Sequence, residues 1–213
     1  MAALDHQDHV ARADAGGLAR AAGWLGLAGI AAMALGTLVG DMAVPDNKWI
    51  SDTISAMAAG NRYWWVVDAG IVAYGASVLL MALGCAAVHP GTHRWSLGCA
   101  ALAVLGVTIF LIGFRNEYGD GDDEASEAYH IYFVYLLGAL FALAPLLLAK
   151  GAVALSGGAA RGLRWGAAAW ILAAPWFFFM PDAYDGAYER GLGLISFIVT
   201  GAVAAMLIRG ARA

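Results

Sequence analysis

The chain has 213 residues, of which 62% are hydrophobic and only 13% charged, and its mean hydropathy is +0.69. A soluble domain carries about 25% charged residues, and one of this size cannot hide so much apolar area from water, so composition excludes an ordinary water-soluble globule and makes bilayer lipid part of the solvent. A net charge of −4 with no basic stripe also excludes a nucleic-acid binder.

Residues 1–19 are polar, with His6, His9 and three Asp, and read as a mobile N-terminal tail. Arg20 opens the first long apolar run. It is too long for the core of a signal peptide and lacks a clean small-residue cleavage site, so it reads as a retained helix. The rest of the chain, 20–213, reads as a single six-helix transmembrane domain with spans at about 21–44, 63–88, 96–114, 127–149, 165–181 and 192–208. Each is near the ~20 residues a helix needs to cross ~30 Å of hydrocarbon. The connections 89–95, 150–164 and 182–191 are short, which predicts antiparallel neighbours in a compact bundle.

Charge predicts the orientation. With six spans, one side carries eight basic and three acidic residues, and the other carries four basic and thirteen acidic. A basic excess marks the cytoplasm. The expected fold class is therefore all-α: a polytopic membrane protein with six transmembrane helices, both termini cytoplasmic and the acidic loops periplasmic or extracellular.

Small residues four apart (Ala22 and Gly26, Gly36 and Gly40, Gly201 and Ala205) let helix backbones approach closely. Pro145 and Pro175 lie inside the fourth and fifth runs, where Pro either kinks a helix or is simply tolerated. Cys85 and Cys99 fall at the same end of neighbouring runs, as buried small residues or as a disulfide.

The candidate chemistry gathers on the acidic side. Ser51, Asp52 and Ser55 would share one face if their segment is helical, with Asp52 as a base or ligand and a serine as donor or nucleophile; the competing reading makes Ser51 or Asp52 an N-cap. Asp68 follows Tyr63, Trp64 and Trp65, an interface belt, and has Arg62 or Arg115 as possible ion-pair partners. His130, with Glu127 one turn before it, is the lone histidine on this side and reads as a general base, a metal ligand or an interfacial hydrogen-bonding group. The other four histidines lie on the opposite side, which weighs against a three-histidine zinc site. Residues 117–127 crowd acids around glycines without the fixed spacing of a calcium loop, and read as a solvated acidic loop or a Ca²⁺ site. Glu189 and Arg190 open the last run, where Arg190 has acids of the other outer loops within reach.

No phosphate loop, nucleophile elbow, haem pattern or HExxH is present, and both lysines, Lys48 and Lys150, fall outside the expected spans, which argues against a retinal Schiff base; no cofactor is expected and no metal-ligand set is assigned. The segment Ile50-Ser-Asp-Thr-Ile54, with Trp64-Trp65, Gly70-Ile-Val-Ala-Tyr-Gly75, Gly113-Phe114, His130 and Glu189-Arg190, resembles the bacterial integral membrane family catalogued as domain of unknown function 998. That family usually has Phe-Pro-x-Asp where this chain has Phe114-Arg-Asn-Glu117. The resemblance implies a multi-pass protein of a bacterial inner membrane. A looser likeness reaches six-span lipid-remodelling and stress-linked proteins, which implies work on lipids.

Two functional readings follow. In one, Ser51, Ser55, Asp52, Asp68, Arg115, His130, Glu189 and Arg190 converge to bind a lipid head group or small polar ligand, with acyl-transfer or hydrolytic chemistry at Asp52, His130 and Ser55. In the other, the same residues brace the loops of a non-catalytic subunit with protein partners in the membrane. A transport path is disfavoured, since the runs hold almost no deep polar residues.

Overall fold

In lipid every backbone polar group must find a partner within the protein, and continuous apolar runs achieve this as helices. The computed structural model describes residues 2–58, 63–114 and 124–210, and the side chains among them outside 2–13 and 124–128. The described residues form seven α-helices and no strand: α1 Ala2–Ala43, the single turn α2 Ile54–Met57, α3 Trp64–Ala87, α4 His93–Phe114, α5 Glu124–Leu155, α6 Gly157–Ala173 and α7 Asp185–Gly210. Two 3₁₀ turns, Ala174–Phe179 and Asp182–Tyr184, join α6 to α7. Five segments are long and apolar enough to cross a membrane: Asp14–Ala43, Trp64–Ala87, His93–Phe114, Tyr129–Leu155 and Asp182–Gly210. Leu172, Phe179 and Ile198 stand exposed on the flanks, as lipid-facing side chains do.

Helix boundaries depart from the sequence expectation at both ends of the α5–α6 hairpin. The stretch 150–164 is not a loop: α5 runs through Pro145 to Leu155, and the Ser156 hydroxyl accepts the Ala159 amide at 3.3 Å to start α6 at once. Lys150, Arg161 and Arg164 are therefore helical. The expected fifth run, 165–181, breaks because Pro175 has no amide hydrogen, so the α-helix stops at Ala173 and the chain tightens into 3₁₀ turns. The Tyr188 hydroxyl donates to the Ala173 carbonyl at 2.9 Å. At the front of the chain, helix α1 extends back to Ala2, well before the apolar run opens at Arg20.

Successive long helices pack side by side, α1 on α3, α3 on α4, α4 on α5, α5 on α6 and α6 on α7. The last helix closes the ring against α1 and reaches across to α3 and α5. The closest approaches are glycine seams. A Cβ on Gly36 would sit 3.0 Å from the Val66 carbonyl oxygen, and one on Gly70 the same distance from that of Ala32. A Cβ on Gly75 would stand 2.5 Å from the Phe110 amide nitrogen. Gly36 and Gly40 both face α3, so this pair serves packing within the chain. At one end of the bundle the buried Trp95 indole donates to the Cys85 carbonyl at 2.8 Å, tying α3 to α4 where the Thr92 hydroxyl accepts the Trp95 amide. Cys85 and Cys99 are buried free thiols in contact with each other.

The interior is not wholly apolar. Between α3 and α7 the Tyr74 hydroxyl lies 3.2 Å from Ser196 Oγ and 3.0 Å from Thr200 Oγ1. All three are buried, and the Tyr74 ring meets Phe197 edge-on.

Candidate functional site

The polar end of the bundle is built from the segment between α1 and α3. Helix α1 ends at Ala43, and the chain turns through Asp46, whose φ of 60° is a left-handed conformation that Asp tolerates better than most residues. Asn47 then folds back and donates to the Asp41 carboxylate at 3.1 Å. The next turn is closed by Asp52: its Oδ2 accepts the Lys48 amide at 2.8 Å and its Oδ1 accepts the Ser51 hydroxyl at 2.9 Å. The Lys48 amide bond holds the Asp52 carboxyl below the ordinary carboxylate range, against the opposing effect of burial and with a lesser contribution from the Ser51 hydroxyl.

This geometry corrects two local expectations. Helix α2 begins at Ile54, so Asp52 precedes it and does not share a helical face with Ser55. The N-cap is Thr53, whose hydroxyl accepts the Ala56 amide at 3.0 Å, and neither Ser51 nor Asp52. The carboxylate of Asp52 serves its own turn.

The start of α7 docks onto this segment. The Ala187 amide donates to the Ile50 carbonyl at 2.9 Å, and Glu189 accepts the Ile54 amide at 2.6 Å. Arg190 grips Asp41 with both arms of its guanidinium, at 3.2 Å from Nε and 2.5 Å from Nη2. Its Nη1 donates to the Asp52 and Gly186 carbonyls, each at 2.8 Å. Gly186 is required here, because a Cβ would collide with the Asp52 carbonyl group.

Ser55 meets His130 across the bundle. Ser55 Oγ lies 3.4 Å from His130 Nε2, and the imidazole is only 6% exposed. His130 Nδ1 is buried and has no hydrogen-bond partner among the described residues. Asp68 is also buried, in the second turn of α3, next to the exposed rings of Trp64 and Trp65. Arg62, Arg115 and the acidic stretch 117–123 lie outside the described residues, as does the side chain of Glu127. Among the described residues no three His, Cys, Asp or Glu side chains gather as metal ligands.

The structure thus joins Ser55 to His130, Ser51 to Asp52, Glu189 to the α2 backbone and Arg190 to Asp41 and the Asp52 carbonyl. Asp41 is the residue that sequence reasoning passed over as a site member. Its signal was available: an acid near the end of a long apolar run needs a partner.

The chain belongs to the family described as "Protein of unknown function (DUF998)", whose model matches residues 27–209. No curated protein and no solved structure matches the chain.

Proposed function

We propose that this DUF998 member crosses the membrane six times and binds a lipid head group or small polar ligand at the Ser55–His130 end. In this reading α6 and its 3₁₀ extension make up the fifth crossing in chain order, which brings the five apolar segments to six: together they run from Gly157 to Phe179, and α6 packs between α5 and α7. In the same reading the membrane is a bacterial inner membrane, and the asymmetry of basic and acidic residues supports an orientation with both termini cytoplasmic and the Ser55–His130 end outside.

The observation that carries the ligand site is the pairing of a serine hydroxyl with a buried imidazole, 75 residues apart in the chain. His130 Nε2 is set to take the Ser55 proton while Oγ attacks an acyl carbonyl carbon, and the leaving alcohol would recover that proton. The 3.4 Å separation is longer than the ~2.6–3.2 Å of a working base, as is common before a ligand is bound. Asp52, its carboxylate spent on its own turn, positions the segment in this scheme. The test is labelling of the purified protein with a fluorophosphonate probe, followed by peptide mass spectrometry. A covalent adduct on Ser55, lost in His130→Ala, is expected; an unlabelled Ser55 under conditions that label a control serine hydrolase rejects the acyl chemistry. Co-purified lipid that is lost in His130→Ala, with no adduct, would leave a binding site alone.

A second reading, a non-catalytic subunit, is favoured by one observation: Glu189 and Arg190 bind the protein's own backbone and Asp41. Stable co-purification of a membrane protein partner would support it.

A further inference from the structure

The opposite end of the bundle carries a second polar feature, unconnected with Ser55 and His130. Two open hollows of about 280 and 250 Å³ adjoin there, and Arg164 lines both. Arg161 and Trp165 line one, and Leu146, Lys150 and Val153 line the other. All six side chains come from the α5–α6 hairpin. Lys150, Arg161 and Arg164 are exposed, and none has a carboxylate partner among the described residues. The sequence from 128 to 181 contains no acid at all.

Arg161 and Arg164, three residues apart in the second turn of α6, share one helix face, and no acid stands in the first turn beside them. Arg164 gives its Nε to the Ala160 carbonyl at 3.2 Å, and its side chain lines both hollows. The surroundings suit a lipid. Leu146 and Val153 are 42% and 53% exposed on α5, and the indole of Trp165 is 74% exposed, as expected of a ring at the head-group level.

We propose that the α5–α6 hairpin binds an anionic phospholipid, with Arg161, Arg164 and Lys150 around the phosphate and the acyl chains along Leu146 and Val153. The head group lies in the leaflet at the hairpin end of the bundle, and basic pockets of this kind between spanning helices favour anionic over zwitterionic lipids.

The full-length protein in detergent micelles is titrated with dioleoyl phosphatidylglycerol and, separately, dioleoyl phosphatidylcholine, and bound lipid is counted by native mass spectrometry. Phosphatidylglycerol is expected to bind more tightly. At about fivefold per cation near the surface, Arg161→Gln with Arg164→Gln lowers that affinity about 25-fold. Removing two other exposed cations, Arg94→Gln with Arg209→Gln, leaves it intact. Arg164→Lys, which keeps the charge, retains the preference for phosphatidylglycerol and covers the case in which the double glutamine variant fails to fold. Equal affinity for the two lipids overturns the proposal, as does an equal loss in both double variants. Displacement of the lipid by excess inorganic phosphate would overturn the assignment to a phospholipid.

Discussion

Replacing Arg190 by Gln removes the clasp between the first and last long helices. The guanidinium makes two contacts with Asp41 and one each with the Asp52 and Gly186 carbonyls. The Arg190 and Asp41 side chains are 14% and 20% exposed, so little water is on hand to replace what is lost. Truncating one partner of a buried ion pair costs about 3–5 kcal/mol, and residual exposure trims this to about 2–4 kcal/mol. For a chain of this length each kcal/mol shifts the melting temperature by about 2–4 °C, so a fall of about 10 °C is expected. The assay is loss of helical circular dichroism on heating the purified protein in micelles. Arg190→Lys should fall between, because an ammonium cannot reproduce the two-armed grip. The double variant Arg190→Gln with Asp41→Asn should recover about 1–3 kcal/mol relative to the sum of the singles. A fall of less than about 2 °C for Arg190→Gln, with no coupling to Asp41, would refute the clasp.

Gly186→Ala should destabilise the same junction, since the added methyl collides with the Asp52 carbonyl; comparison of melting temperatures with Gly193→Ala, where a Cβ meets nothing within 4 Å, isolates the effect. Tyr74→Phe removes the hydroxyl between Ser196 and Thr200 and should cost about 0.6 kcal/mol, the average for hydrogen bonds between membrane helices, read from denaturation in mixed micelles. Asp52 is ionised in the folded state with its carboxyl held below the ordinary 3.8, so the stability it adds is present above that value and fades as pH falls through the depressed one. Amide exchange at Lys48 should therefore stay slow at neutral pH and lose its protection only under strong acid, whereas Asp52→Ala, which has no acceptor for that amide, should exchange fast throughout. Ser156→Ala should cost about 1 kcal/mol through loss of the α6 cap, again read from the melting temperature.

How far the amino acids announce this molecule varies with the distance over which each feature acts. The long apolar runs, the multi-pass class and the family were legible, because hydrophobic length and short motifs are local. Asp52 was noticed for its polarity, but its role was not legible, since the carboxylate could equally have faced a helix, a partner or solvent. The break at Pro175 was visible as a proline, yet whether it kinks or ends the helix depended on what received the Ala173 carbonyl, and that is Tyr188 from the next helix. The α5–α6 junction was mistaken for a loop because Lys150, Arg161 and Arg164 look like loop residues until one serine is known to cap the second helix.

The segment between α1 and α3 shows the division most clearly. Composition and charge were enough to say that Ser51–Asp68 and Glu189–Arg190 belong to the polar end of a membrane bundle. That Arg190 holds Asp41, 149 residues away, and that Ser55 rather than Asp52 meets His130, depended on the rotation and register of packed helices. Those are set by glycine seams such as Gly36 against Gly70, where backbones touch and a shift of one residue would point every polar side chain elsewhere.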